Sequence, residues 1–236
     1  MNPLEVILQS QQLGPVWPFN FLKYAIRGAV GAGVSVNTIV LILLLPLVAA
    51  FIAAARHLVG LRGFGIFLPA ALSVVFVAMG PILGVGLFLL IVTVSTLLRF
   101  IFRRIKFKLQ YLPRMAFILW SVSVAVLGVL FLAPVIAWPS LTNVSIFPVL
   151  LLALLAEDFS RVQLGKSAKT AINLTTETLL LAFVSYLFLT LTFVQKIALL
   201  NPEFYLVGVA IFDVLVGKYV GLRLLEYYRF RKLLRP

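Results

Sequence analysis

The sequence predicts an all-α integral membrane protein of seven transmembrane helices, with its N-terminus outside and its C-terminus in the cytoplasm. Three observations carry this prediction. Of the 236 residues 63% are hydrophobic, and the mean hydropathy is +1.14, whereas a soluble domain is about half apolar. Seven apolar stretches approach or reach the ~20 residues a helix needs to cross a bilayer. The cations gather on alternate connectors between those stretches.

The seven segments are, in order, 36–55, 64–79, 81–102, 115–137, 144–156, 171–194 and 203–222. The second and fifth are short. Residues 1–35 read as an extracytoplasmic arm, and 36–236 as one seven-helix membrane domain with tight connectors. Residues 1–20 lack the basic start and long apolar core of a cleavable signal peptide. The stretch FNFLKYAIRGAVGAGV at 19–34 has the pattern of a short amphipathic helix lying on the outer surface.

Sidedness follows from the basic residues. If the seven helices alternate, all Lys and Arg except Lys23, Arg27, Lys196 and Lys218 fall on one side. The positive-inside rule makes that side the cytoplasm. The short segments must then cross too, since a re-entrant second or fifth segment would place RFIFRRIKFK or YYRFRKLLR outside. Trp17 and Trp138 fit the outer interface, and Tyr111, Tyr227 and Tyr228 the inner one. A formal net charge of +13 raises nucleic acid as a partner, but cations sorted by membrane side speak for lipid instead.

Composition also removes chemistries. There is no Cys, so disulfides, iron–sulfur clusters and thiol nucleophiles are excluded. The single His57 stands beside Arg56 at a helix end. It has neither the company of a metal set nor a place as the base of an intramembrane triad. No catalytic residue, metal or cofactor is expected.

Prolines punctuate an internal pattern. GIFLPAAL and SIFPVLLL open the two short segments, with Pro69 and Pro148. Each is followed by a long helix and then by a helix announced by proline, in YLPRMAF and LNPEFYL. The chain therefore reads as one helix plus a 3+3 inverted repeat, with chance similarity among apolar segments as the plain alternative. In transporters such repeats place a substrate site at their interface.

The charges inside apolar segments name the candidate site. Asp213 stands near the middle of the last segment, where a charge costs at least about 2.5–3.5 kcal/mol on insertion scales. It reads equally as a proton or substrate site and as a structural carboxyl. Thr93 and Ser121, with Ser95 and Ser123, share its depth. Glu177 and Lys218 read first as an ion pair across the last hairpin. The substrate-binding candidates are thus Asp213, Glu177, Lys218, Thr93 and Ser121. Arg56, Arg62, Glu157, Asp158 and Arg161 form an expected cytoplasmic charge cluster; Glu157 and Asp158 are also the only acid–base pair a membrane enzyme could use. The run AINLTTET at 171–178 is polar enough to line a water-filled cavity, and Gly217 and Gly221 have the spacing of close helix packing.

The stretch HLVGLRGFGIFLP at 57–69 reads as a cytoplasmic turn entering a short helix. A phosphate loop would need a preceding strand and a Lys–Ser/Thr end, and contact of Arg56 and Arg62 with lipid head groups is the better reading. Here the chain also becomes recognisable. With YLPRMAF, SIFPVLLLALLAEDFSR and VGKYVGLRLLEYYRF, it resembles the bacterial seven-helix membrane domain usually fused to an inactive transglutaminase-like domain, over roughly residues 34–232.

The resemblance implies a bacterial inner-membrane protein whose transglutaminase-like part is extracytoplasmic and precedes the helices. It implies the company of ATP-grasp amino-acid ligases and a role in making, exporting or anchoring peptide-like material. In this chain the outer N-terminal region is only about 35 residues, short of a domain. The expectation is a chain that works alone, has a separately encoded partner, or is trimmed. The first functional reading is a non-enzymatic membrane module that anchors or assists peptide or envelope-polymer handling at the outer face. The alternative is a secondary transporter or exporter subunit with its site near Asp213. Expected partners are membrane lipids, an extracytoplasmic transglutaminase-like protein or ATP-grasp ligase pathway proteins, and a second copy in a homo-oligomer; nucleic acid is not among them.

Overall fold

A computed structural model describes residues 3–10, 20–105, 110–136, 145–163 and 168–230. Trp17 and Trp138 lie outside them. Among the described residues every regular element is a helix. They are α1 (Pro3–Ser10), α2 (Phe21–Gly31), α3 (Val36–Ala54), α4 (Phe67–Met79), α5 (Pro81–Arg104), α6 (Tyr111–Ile136), α7 (Ile146–Gln163), α8 (Ala168–Thr190), α9 (Thr192–Leu200), α10 (Pro202–Lys218) and α11 (Leu224–Phe230). All seven expected segments coincide with a helix.

Among the described residues four stretches are long and apolar enough to cross a membrane: Val36–Val59, Pro81–Phe102, Tyr111–Leu132 and Lys169–Thr190. The pair α9–α10, bent by 109°, makes a fifth if it is one broken span, while Phe67–Met79 and Ile146–Leu155 are shorter apolar helices. In the least covered of the long stretches, Tyr111–Leu132, only 22% of the apolar window is buried. Such bare apolar surface suits a solvent of lipid rather than water.

The chain divides into two compact units. The first comprises Met1–Arg62 and Val184–Pro236. Its centre is α3, whose Val36, Val40, Leu44 and Val48 recur every four residues and are at most 1% exposed. That spacing puts them on one helical face, on which α9 and α10 pack. From α10, Pro202, Val209 and Val216 are buried, seven residues apart, so the helix is held along one narrow seam. The helix α2 lies on α10, and α1 on α9 and α3.

The second unit is Gly63–Phe183. There α4, α5, α6 and α7 pack around one another. Leu72, Phe76, Leu87, Phe88, Ile118, Val122 and Leu152 fill the middle, none more than 3% exposed. Gly80, at φ 86°, ends α4 with its N–H on the Phe76 carbonyl, 2.9 Å away. Pro81 then opens α5, where a missing N–H costs nothing.

Three boundaries differ from the sequence expectation. The sixth segment does not run on to residue 194: it breaks at Leu191, which is extended (ψ 111°), and α9 begins afresh. The seventh stops at Lys218, and Tyr219 is extended with ψ 116°. Gly221 therefore lies outside the helix, and a Cβ on Gly217 would meet nothing within 4 Å; no close helix packing uses that pair. The first segment ends by widening into a π turn, Ala55–Val59.

Candidate functional site

The glycine-rich stretch at 57–69 organises polar structure in each unit. In the first unit, the π turn ends at Gly60, whose φ of 97° is a left-handed conformation that side chains disfavour. The Gly60 N–H donates to the Ala55 carbonyl at 3.1 Å. A Cβ on Gly60 would stand 3.4 Å from Cβ and Cδ of Arg223, so the arginine stem packs directly over the glycine. His57 Nε2 is 2.9 Å from the Tyr219 carbonyl oxygen. A carbonyl only accepts, so Nε2 carries the proton and donates. The two rings meet edge to face at 6.3 Å. The Tyr219 hydroxyl donates to the Leu222 carbonyl at 3.0 Å and closes the turn between α10 and α11. Two recognisable motifs far apart in sequence, HLVG and KYVGLR, thus form one junction.

In the second unit the same stretch docks on α8. The buried Phe64 N–H donates to Thr178 Oγ1 at 2.8 Å, and that hydroxyl donates to the Leu174 carbonyl at 2.7 Å. Gly63 has no room for a side chain: a Cβ there would lie 3.1 Å from both Thr178 Oγ1 and Leu181 Cδ1. The AINLTTET run is accordingly divided in its use. Thr175 and Thr178 are buried, Asn173 and Thr176 exposed. The hydroxyls of Thr175 and Thr176 turn back onto the Ala171 and Ile172 carbonyls of their own helix.

A second junction in the first unit fastens α2. Glu203 Oε1 accepts the Lys23 N–H at 3.1 Å, and Lys23 Nζ donates to Asn201 Oδ1 at 3.0 Å. Lys23 stands in the first turn of α2, whose own Asn20 makes no side-chain cap. The Glu203 carboxylate therefore caps a neighbouring helix and answers its positive end. Arg27 Nη2 donates to the Leu8 carbonyl at 2.8 Å and ties α1 to α2.

The five substrate-binding candidates fall in both units. Asp213 and Lys218 belong to the first and are exposed on α10. Thr93, Ser121 and Glu177 belong to the second. The hydroxyls of Thr93 and Ser121 donate to the Leu89 and Phe117 carbonyls of their own helices, at 2.7 and 3.0 Å. Of the charge cluster, Arg56 is half-buried in the π turn and Arg62 is exposed. The side chains of Glu157, Asp158 and Arg161 lie outside the described set. Among the described residues no three His, Asp or Glu side chains gather as a metal would require.

Sequence reasoning missed three features. The Lys23–Asn201–Glu203 clasp had one faint signal, an acid directly after the proline that opens a helix. The His57–Tyr219 bond had none, since a carbonyl recipient carries no residue identity. Arg99, counted with the loop cations, is 8% exposed on α5, and Arg114 lies close enough to act on it electrostatically.

A family model described as 7 transmembrane helices usually fused to an inactive transglutaminase matches residues 32–234. No curated protein and no solved structure matches the chain.

Proposed function

The chain belongs to the family of seven transmembrane helices usually fused to an inactive transglutaminase, and on that footing we propose that it is a non-enzymatic module of the bacterial inner membrane. It would anchor or assist a partner that handles peptide-like or envelope polymer at the outer face. All seven apolar helices cross, with the N-terminal arm outside and the C-terminus in the cytoplasm. The observation that supports this most is the clasp on α2. The arm leading into the helices is bonded by Lys23 to Glu203 and Asn201 at the start of α10. A partner joined to or seated on that arm would be positioned by the membrane domain rather than merely tethered to it. Phe21, beside the clasp in the first turn of α2, is 66% exposed and offers apolar contact there.

A photo-crosslinking amino acid at Phe21 in living bacteria tests the proposal. The expected product joins this chain to an extracytoplasmic transglutaminase-like protein. A chain that crosslinks only to lipid, and that moves a solute when reconstituted alone, would reject it in favour of the transporter reading. One observation favours that second reading: the 109° break between α9 and α10, since discontinuous helices build transporter sites. In that case Asp213→Asn abolishes uptake in liposomes.

A further inference from the structure

In the first unit, two apolar helices end at one level. The His57–Tyr219 bond and the Gly60–Arg223 contact bring the end of α3 against the end of α10. Three cations stand within a few residues of that junction: Arg56 in the π turn, Lys218 in the last turn of α10, and Arg223 before α11. Among the described residues the acid alongside them is Glu226, 4.0 Å from Arg223 in an exposed pair, an arrangement worth little in stability. Arg56 and Lys218 have no ion-pair or hydrogen-bond partner among the described residues.

The surroundings are greasy. Val220 is 95% exposed, and Leu222, Leu224, Tyr227 and Tyr228 are also bare. Apolar and aromatic side chains beside cations, at the ends of membrane-length helices, mark the depth of lipid head groups. Lipid phosphates line both faces of a bilayer, so this placement does not depend on which way the chain threads.

We propose that this junction is a binding site for the phosphate of an anionic lipid. Arg223 is the preorganised ligand. Its stem lies over the bare face of Gly60, and the loop that carries it is closed by the Tyr219–Leu222 hydrogen bond and held by His57. A guanidinium carried on a stem placed in this way can offer two parallel N–H donors to phosphate oxygens. Arg56 and Lys218 add charge at the same depth. The chemistry recognised is a phosphate group carrying net negative charge; its source is a lipid head group or free phosphate.

The full chain, purified in detergent, separates these by native mass spectrometry with phosphatidylglycerol, phosphatidylcholine and inorganic phosphate. The wild type should retain phosphatidylglycerol over phosphatidylcholine, with about fivefold of that preference lost for each cation removed. Arg56→Gln, Lys218→Gln and Arg223→Gln together should abolish it, whereas Lys169→Gln, on an exposed lysine of α8, should not. Gly60→Ala removes no charge but strains the left-handed turn on which the Arg223 stem packs, and should weaken phosphatidylglycerol binding while leaving phosphatidylcholine unchanged. Displacement of the lipid by inorganic phosphate supports the site with the free ion as its source, and failure to displace supports the lipid. A triple variant that keeps the preference, or a wild type that holds the two lipids equally, overturns the proposal.

Discussion

The Thr178 hydroxyl accepts from the buried Phe64 N–H and donates to the Leu174 carbonyl. Thr178→Val keeps the shape and removes the hydroxyl that this buried N–H bonds, a loss of about 1–3 kcal/mol; Thr178→Ser should restore most of it. Thermal unfolding of the two variants in detergent checks the difference. A matched pair of glycines gives a second residue-scale prediction. A Cβ on Gly84 would collide with the ring of Phe76, which is fully buried. Gly84→Ala should therefore destabilise by about 1–3 kcal/mol through overpacking. Gly86, two residues on in the same helix, would meet nothing within 4 Å. There Gly86→Ala should be neutral or stabilising by up to about 1 kcal/mol, because alanine is the better helix former. Equal melting shifts for the two glycine variants would contradict the packing described for α4 and α5.

Among elements, α2 is the one whose position hangs on few contacts. Glu203→Ala removes both the acceptor for its first turn and the charge facing its positive end, a loss of about 0.5–2 kcal/mol for a helix cap. Hydrogen exchange at the Lys23 amide should speed up by roughly two- to thirtyfold for such a loss, while α3 amides stay protected. Glu203→Gln, which keeps an acceptor, should lie between. The helices themselves were legible because each long one is an apolar run bounded by Gly, Pro or charge, as at Gly80–Pro81 and Asn201–Pro202. The break at Leu191 was not. Its neighbours Thr190 and Thr192 sit in an unbroken apolar stretch, with neither glycine nor proline to mark it. The clasp on α2 was equally hidden. Lys23 and Glu203 are 180 residues apart, and no periodicity links positions so distant. The glycine-rich stretch was read correctly as a turn, but its partners on α8 and beside α10 are a matter of tertiary packing.

At the scale of the whole molecule, the deciding question is how many helices cross, and the chain's lack of Cys makes it answerable. Single cysteines at Lys23, Arg62, Arg104, Lys169, Lys196 and Tyr228 sample described positions on both expected sides. If all seven apolar helices cross, Arg62, Arg104, Lys169 and Tyr228 share one compartment, and Lys23 and Lys196 the other. The short helices are each tested by one comparison. Between Arg62 and Arg104 lie only α4 and α5; since α5 is long enough to cross, the two sites agree only if α4 crosses as well. Between Arg104 and Lys169 lie α6 and α7, and the same logic applies to α7. A helix of 13 residues such as α4 spans about 20 Å at 1.5 Å per residue, well short of the ~30 Å hydrocarbon core. Its crossing therefore requires local thinning of the bilayer or neighbours that bury its ends. The charge pattern argues for that crossing all the same, because a re-entrant α4 would put Arg99, Arg103 and Arg104 across the membrane from Arg56 and Arg62. A membrane-impermeant maleimide applied to intact cells should label Lys23 and Lys196 variants alone. Labelling of Arg104 from the same side would show that α4 does not cross, and that the cations do not set the threading of this chain.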